Sequence, residues 1–235
     1  MIAVFINTFL RDNFMYRCVE SCLEFVPDAR LYITDNGREN ATKNVFYRKL
    51  LNEGHYIERL DFNYMWRKAF NEKLGKLQDE KYILKVDDDF YFDKPVTFTD
   101  FLEKDLKIGL IGGQVWHSHR NEPSDYVFNV ERKEGDKYLL SLAKHKGGGY
   151  IYCDFVPDFW MARREILPKM PELPPAGGGH EQFFTQIYEM EKDWKVAYTN
   201  EVVAIHEKDK QTAEYRSHRK AGWGAYDKNV KLIKP

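Results

Sequence analysis

The chain has 235 residues, and 43% of them are hydrophobic, which is enough for one sizeable domain with a packed core. It carries 36 lysines and arginines against 37 aspartates and glutamates, so the formal net charge is -1. This balance argues against nucleic acid as the main partner, because binding along a phosphate backbone normally requires a net basic face.

The cysteines and the N-terminus indicate the cellular setting. Cys18, Cys22 and Cys153 are an odd number at spacings that do not suggest a disulfide framework, which favours a reducing compartment. The N-terminal apolar run lacks a basic region and a small-residue cleavage site, so it predicts a strand rather than a signal peptide. No stretch has the apolar length of a transmembrane segment. If the chain is complete, we therefore expect a soluble, cytoplasmic protein.

The first half alternates strand-like and helix-like patterns. Short apolar runs predict strands over residues 2–6, 30–34, 55–60 and 82–86, and apolar residues at helical spacing predict helices over 13–26, 42–52 and from Trp66 onward. This alternation implies right-handed crossovers and a parallel sheet.

The second half is less regular. Strand patterns cover residues 107–115, 126–130, 137–142, 150–155, 195–199 and 201–205, and the second and third of these predict a hairpin. Three glycines at 177–179 lead into a predicted helix that begins near His180. The predicted fold class is therefore α/β, one domain with a mostly parallel central sheet, flanking helices and a small antiparallel second sheet.

An acidic run follows the fourth predicted strand. Asp87, Asp88 and Asp89 repel one another unless solvent or a cation lies between them. Carboxylate oxygens of this kind suit Mg²⁺ or Mn²⁺ bridging to phosphate oxygens. A solvated acidic turn is the alternative interpretation.

Other polar residues fall at the carboxyl ends of the predicted strands. Thr8 and Arg11 follow the first strand, and Asp35 follows the second. Ligands of open parallel sheets bind at these strand ends, so we expect the three residues to share a site with the acidic run.

Two further residues are candidates for chemistry. His206 ends the apolar run VVAI, and an imidazole there is either an added metal ligand or simply a hydrogen-bonded side chain. Glu181 lies in the first turn of the predicted helix after the glycines, as a general base or as a carboxylate that stabilises the helix dipole. The residues alone leave both alternatives open.

In their order and spacing, these segments resemble the GT-A superfamily of glycosyltransferases, in particular its broad inverting family. The segments that carry the likeness are NTFLR at 7–11, ITDNG at 33–37, RKAFN at 67–71 and VDDDF at 86–90, which matches the family's DxD motif. Three later segments are similar to ganglioside-type N-acetylgalactosaminyltransferase domains, namely VPDFWMARREIL at 156–167, GGGHEQFF at 177–184 and VVAIHEK at 202–208. Small virus-encoded and bacterial transferases share this arrangement.

The resemblance implies a metal-dependent inverting transfer of a sugar from a nucleoside-diphosphate sugar, UDP-sugar above all, to a hydroxyl of a glycan or glycoconjugate acceptor. In this pattern the donor-binding residues are Thr8, Arg11, Asp35, Arg67, Asp87, Asp88 and Asp158. Asp89 and His206 hold Mn²⁺ or Mg²⁺, and Glu181 is the catalytic base. The family's usual Glu-Asp pair is His180-Glu181 here, which leaves open whether Glu181 or a neighbour is the base.

The resemblance also implies how the chain is divided. Residues 1–235 form a single GT-A-like catalytic domain, with a nucleotide-binding half at about 1–106 and an acceptor-binding and catalytic half at about 107–206. A basic C-terminal tail occupies 207–235.

Two other functions compete with this interpretation. A sugar-1-phosphate nucleotidyltransferase also uses an α/β sheet and Mg²⁺, but it needs a glycine- and lysine-rich loop that NTFLRDNF lacks. A non-catalytic module that binds a nucleotide sugar or a glycan without turnover belongs to a different class. Hydrolysis of the donor in the presence of Mn²⁺ separates the enzyme from the binding module.

Overall fold

The first half of the chain forms parallel strands joined by helices. The computed structural model describes residues 1–59, 66–124, 127–134, 137–156, 159–167, 193–208, 213, 216–217 and 230–232. The strands of this half are β1 (Ile2–Thr8), β2 (Ala29–Asp35), β3 (Tyr56–Arg59) and β4 (Tyr82–Asp87), and the helices between them are α1 (Asp12–Phe25), α2 (Ala41–Asn52) and α3 (Trp66–Leu74). β1 pairs in parallel with β2 and β4, and β2 pairs in parallel with β3. The predicted alternation and the predicted parallel sheet are confirmed.

The second half widens this sheet. Its elements are β5 (Phe90–Tyr91), α4 (Phe98–Lys104), β6 (Ile108–His117), β7 (Glu122–Ser124), β8 (Phe128–Glu134), β9 (Lys137–Leu142), β10 (Ile151–Cys153), β11 (Trp160–Arg163), a 3₁₀ turn (Arg164–Ile166), β12 (Lys195–His206) and β13 (Val230–Leu232). Across the sheet the order is β10-β12-β6-β11-β4-β1-β2-β3, with β5 beside β12 and β7 beside β6. β6 and β12 are parallel to each other, whereas β11 is antiparallel to both β4 and β6.

A small second sheet confirms the predicted hairpin. β8 and β9 pair antiparallel, and β13 adds to β9 in parallel. Together with the large, mostly parallel sheet and its helices, this arrangement confirms the predicted α/β fold class.

Both faces of the large sheet are buried. Ile2, Val4 and Ile6 of β1 face one apolar cluster, whereas Ala3 and Phe5 face another. This alternation is expected of a parallel strand covered on two sides. The continuous apolar run at the N-terminus therefore has a structural reason.

Helix α1 covers one of these faces. Its buried residues Met15, Cys18, Val19 and Cys22 recur at helical spacing, so they form a single apolar stripe. All three cysteines are buried and free. In the part of the chain that the structure describes, no helix is both long enough and apolar enough to span a bilayer.

Candidate functional site

The carboxyl ends of the central strands bring the predicted donor residues together. Parallel register pairs Thr8 with Asp35, and it pairs Asn7 with Asp87. Thr8 and Asp35 are 2% and 0% exposed, so both lie inside the floor of this edge rather than on its surface. The geometry follows from equal strand lengths in a parallel sheet, where successive strands end at the same edge.

Arg11 lies between two carboxylates of the acidic run. Its Nη1 atom is 3.0 Å from Asp88 Oδ1 and 2.7 Å from Asp89 Oδ2. The side chains of Arg11, Asp88 and Asp89 are only 5%, 8% and 11% exposed. One guanidinium thus serves as the positive partner of two buried carboxylates.

The buried carboxylates differ in acidity. Burial raises the pKa of Asp88 to about 7, and Asp89 adds to this effect while Arg11 opposes it. Burial acts in the same direction on Asp89, but the hydrogen bond with His206 and the charge of Arg11 outweigh it. The pKa of Asp89 is therefore lowered. Asp89 is therefore the carboxylate of the two that stays ionised, and an ionised carboxylate can pair with a cation.

His206 contacts this ionised carboxylate. Its Nε2 atom lies 3.2 Å from Asp89 Oδ2. The backbone fixes this approach, because Glu207 N donates to Asp89 O at 3.0 Å and His206 is paired with Phe90 of β5. The predicted metal pair, Asp89 and His206, is therefore close in space although 117 residues separate the two in sequence.

Asp87 has a different environment. Its side chain is 38% exposed, and Oδ1 is 2.8 Å from Nζ of the buried Lys85. It is the most accessible carboxylate of the run. A ligand approaching the sheet edge therefore meets Asp87 before it meets Asp88.

Asp35 is held by a network of internal contacts. Gly37 N donates to Oδ1 at 2.8 Å, and Tyr47 OH donates to Oδ2 at 3.0 Å. Lys43 Nζ lies 3.1 Å from Oδ2 and 2.6 Å from Asp12 Oδ1. The carboxylate therefore fixes the loop after β2, and it meets a nucleobase only by exchanging one of these partners.

An unpartnered polar atom marks the floor of the same edge. Among the described residues, Asn7 Nδ2 is buried without a hydrogen-bond partner. The side chain of Thr8, in contrast, hydrogen-bonds to Asp88, which acts to lower the pKa of that carboxyl. Lys73 Nζ donates to Asn7 Oδ1, and burial lowers the pKa of Lys73 to about 7. Buried polar atoms of native proteins are nearly always paired, so Asn7 indicates a place for a polar ligand.

Some predicted residues lie outside what the structure describes. Glu181 and Asp158 belong to the undescribed stretches, and Arg67 is placed in the first turn of α3 without a description of its side chain. The assignments of these three residues therefore stay predictions.

Two arginines, Arg163 and Arg164, lie at the opposite end of the sheet. Arg163 is paired with Tyr82, the first residue of β4, and it donates to the backbone oxygens of Ile108 and Leu102. Arg164 donates to Gln78 O at 2.7 Å. Both are structural residues of the far edge.

Sequence reasoning missed two histidines beside His206. His117 Nδ1 lies 2.8 Å from His206 Nδ1, and His119 lies close to both rings. Burial lowers the pKa of His117, and the nearby His206 adds to this effect. The sequence signal that indicates His206 is also present at His117, since His117 too ends an apolar strand.

The possible metal-ligating atoms at this edge fit a divalent cation. Asp89 offers a carboxylate, His206 offers a ring nitrogen, and among the described residues His117 Nε2 is a buried ring nitrogen without a partner. Carboxylate and imidazole together suit Mn²⁺ and the later first-row ions. These residues could hold such a cation, and the predicted identity of the ion, Mn²⁺ or Mg²⁺, stays a prediction.

Comparison with solved structures identifies the fold. A structure of GalNAc-T7 with UDP, GalNAc and Mn²⁺ superposes with a TM-score of 0.70 at 14% identity, over 88% of this chain and 43% of that chain. S. aureus TarS 1-349 in complex with UDP-GlcNAc superposes with a TM-score of 0.62 at 14% identity, over 93% of this chain and 60% of that chain. Both are GT-A-type glycosyltransferases. No family model and no curated protein sequence matches the chain.

These identities are too low to transfer an activity, so the likeness establishes the fold alone. The chain spans 43% of the GalNAc-T7 chain and 60% of the TarS chain.

Proposed function

We propose that this chain, which has the fold of the GT-A-type glycosyltransferases, transfers a sugar from a nucleoside-diphosphate sugar to a hydroxyl group. The observation that carries the proposal is the edge where Arg11 and His206 converge on the buried carboxylates of Asp88 and Asp89. The structures that resemble the chain contain UDP or UDP-GlcNAc, which favours a UDP-sugar as the donor. The acceptor we propose is a glycan or glycoconjugate.

The donor would lie along the carboxyl ends of β1, β2 and β4. Its proposed contacts are Thr8, Arg11, Asp35, Arg67, Asp87, Asp88 and Asp158. Asn7 Nδ2, at the same strand end as Thr8, supports this placement because it is buried and, among the described residues, without a partner. Asp87 supports it because it is the exposed carboxylate of the run.

A divalent cation, Mn²⁺ or Mg²⁺, would be held at the pair Asp89 and His206. When bound, such a cation neutralises negative charge on the departing diphosphate. Arg11 already donates to Asp89 Oδ2 at 2.7 Å. A cation held by Asp89 would therefore share this oxygen with the guanidinium of Arg11.

The proposed reaction inverts the anomeric carbon. The acceptor oxygen attacks that carbon from the face opposite the diphosphate, and the bond to the diphosphate oxygen breaks. The acceptor proton passes to the carboxylate of Glu181, the proposed base. In this account residues 1–106 bind the nucleotide, residues 107–206 bind the acceptor, and the basic tail at 207–235 lies near the leaving diphosphate.

Glu181→Gln tests the assignment of the base. We expect the variant to bind the nucleotide sugar as the wild type does and to lose transfer by about 100-fold or more, because the amide cannot take the proton. Transfer at a near-normal rate would remove Glu181 from this role and point to a neighbour such as His180.

A thermal-shift screen of nucleoside diphosphates and nucleotide sugars, with and without Mn²⁺, tests the proposed donor class. A ligand that binds only the folded state raises the melting temperature, so we expect a shift with UDP and UDP-sugars that depends on Mn²⁺. Asp89→Ala should abolish the Mn²⁺-dependent part of that shift. A shift without any turnover would favour the binding module, and no shift with any nucleotide would contradict the proposal.

A further inference from the structure

Three histidine rings meet beside the acidic run. His117 ends β6, His206 ends β12, and the parallel register of the two strands pairs these residues directly. His119 lies in the turn after β6. Each ring offers a nitrogen, and the three ligand atoms lie within 4.8 Å of one another. A single ion is therefore within reach of all three.

The backbone holds this cluster in place. Ser118 N and Ser118 Oγ each donate to His206 O at 3.1 Å, which fastens the turn carrying His119 to the end of β12. Arg120 N donates to His117 O at 3.1 Å and closes the turn. Phe90 packs edge-on to the His206 ring with the ring centroids 5.4 Å apart. The rings are thus placed by strands and a bonded turn, which lowers the entropic cost of binding an ion.

The two nitrogens of His206 have separate neighbours. Nε2 lies 3.2 Å from Asp89 Oδ2, and Nδ1 lies 2.8 Å from His117 Nδ1. If Nε2 carries the proton that Asp89 accepts, Nδ1 presents a lone pair on the side of His117. A histidine that donates to a carboxylate with one nitrogen while it binds a metal with the other is a recurring arrangement in metalloproteins.

The hydrogen bonding of the cluster is incomplete. Within the described part of the chain, His117 Nε2 is buried and has no hydrogen-bond partner. His119, in contrast, is exposed, so an ion or ligand approaching from solvent reaches the cluster on this side. A buried ring nitrogen without a partner needs an external one, and an ion satisfies several rings at once.

We propose that His117, His119 and His206 bind a divalent first-row transition ion, with Asp89 orienting the His206 ring. Imidazole nitrogen suits Zn²⁺, Cu²⁺, Ni²⁺ and iron ions, and Co²⁺ lies beside them in the order of affinity, whereas Mg²⁺ takes oxygen ligands and keeps its waters. Three protein nitrogens also leave coordination positions open, as metal sites that bind substrate do. This inference deepens the proposed function, because His206 belongs to both, and it revises one detail. The ion lies on the Nδ1 side of His206, and Asp89 orients the ring through Nε2 instead of ligating the ion.

Titration of untagged, chelator-treated protein with Co²⁺ in the absence of nucleotide tests this site. Co²⁺ reports on its own coordination through its visible absorption, so the readout does not depend on activity. The variants are His119→Ala, at an exposed position that tolerates truncation, and His117→Gln, whose melting temperature verifies that it folds. His145→Ala is the matched control, because His145 contacts Tyr198 and lies outside the cluster.

We expect wild type and His145→Ala to bind Co²⁺ equally and millimolar Mg²⁺ to leave the spectrum unchanged. His119→Ala and His117→Gln should each weaken Co²⁺ binding by at least about tenfold. Wild-type affinity in both variants, or no Co²⁺ spectrum in the wild type, would overturn the site.

Binding of UDP in the presence of Mg²⁺, measured on the same samples, separates this inference from the proposed function. If Co²⁺ fails to bind and UDP still binds with Mg²⁺, the histidine site is wrong and the transferase proposal stands. If Co²⁺ binds through the histidines and no nucleotide binds, the metal site stands without the transferase.

Discussion

At the scale of single residues, Arg11 determines how the acidic run is stabilised. Three adjacent aspartates at the end of a buried strand are costly, and Arg11 compensates two of them from a position that is itself 5% exposed. The arginine comes from the loop after β1, so its placement depends on the strand register of the first half.

Lys43, like Arg11, is a buried cation that pairs with two carboxylates. It is 1% exposed and lies within ion-pair distance of both Asp12 and Asp35. Lys43→Met removes the nearer cation of the fully buried Asp35 and leaves only Arg59, whose Nε lies 3.9 Å from Oδ2. We therefore expect the free energy of unfolding to fall by about 2–4 kcal/mol. Urea denaturation measures this change.

Lys49→Met is the matched control for Lys43→Met. Lys49 lies on the same helix, is 71% exposed and is 4.0 Å from Glu53 Oε1. An exposed pair of this kind contributes little, so the control should change stability by less than about 1 kcal/mol. Equal losses in both variants would mean that the Lys43 network does not stabilise the fold.

The predictability of the site differs from residue to residue. The sequence predicts which residues lie at strand ends, because an apolar run that ends in a polar residue indicates a parallel strand reaching an edge. These residues are Asp35, Asp87–Asp89 and His206. The sequence does not predict which side chains Arg11 contacts, because an arginine can reach in several directions from a loop. His117 and His119 were missed because only the register between β6 and β12 brings them to His206.

At the scale of elements, β12 differs from its prediction. Residues 195–199 and 201–205 were predicted as two strands, whereas the structure has one strand, Lys195–His206, with an irregular register between Tyr198 and Val203. Thr199 Oγ1 accepts from Glu201 N at 3.2 Å and donates to Gly149 O at 2.6 Å. This local bonding produces a bulge, and in sequence the polar residues of a bulge look like a turn.

Other elements gave weak sequence signals. The helix α4 has seven residues and β5 has two, too short for a periodic pattern to stand out. β11, at Trp160–Arg163, mixes apolar residues with arginine and lies antiparallel between two strands of the opposite direction. Its Trp160 is 0% exposed and packs in the core. The strongly periodic elements of the first half were predicted to within a few residues of their observed ends.

The strand β6 packs closely against Phe159 and β12 at Gly113. A Cβ atom on Gly113 would lie 2.6 Å from Phe159 Cε1 and 2.6 Å from the backbone oxygen of Val202. Gly113→Ala therefore forces β6 and β12 apart, and we expect unfolding to become easier by about 1–3 kcal/mol. The melting temperature should fall accordingly.

Gly147→Ala is the control for this substitution. A Cβ atom at Gly147 meets nothing within 4 Å, so its effect should stay within about 0.5 kcal/mol. If Gly113→Ala were as stable as Gly147→Ala, the contact of β6 with β12 would be looser than the structure indicates, and the positions of His117 and His206 would be less firmly fixed.

At the scale of the whole molecule, the sheet has two parts that meet at the site. β1–β4 supply Arg11, Asp35 and the acidic run, whereas β6 and β12 supply the histidines. The strand β11 lies between them, so the packing of the second half onto the first determines the distance between Asp89 and His206. Chemistry at this edge therefore depends on the complete sheet.

We propose that this edge of the sheet carries the metal-dependent donor site of a glycosyltransferase. The most direct measurement is release of UDP from UDP-GlcNAc and UDP-GalNAc with Mn²⁺, compared between wild type, Asp89→Ala and the nearby exposed control Asp93→Ala. We expect Mn²⁺-dependent release in wild type and in Asp93→Ala, and a loss of about 100-fold or more in Asp89→Ala. Release that is independent of Mn²⁺ and unchanged in Asp89→Ala would contradict the account.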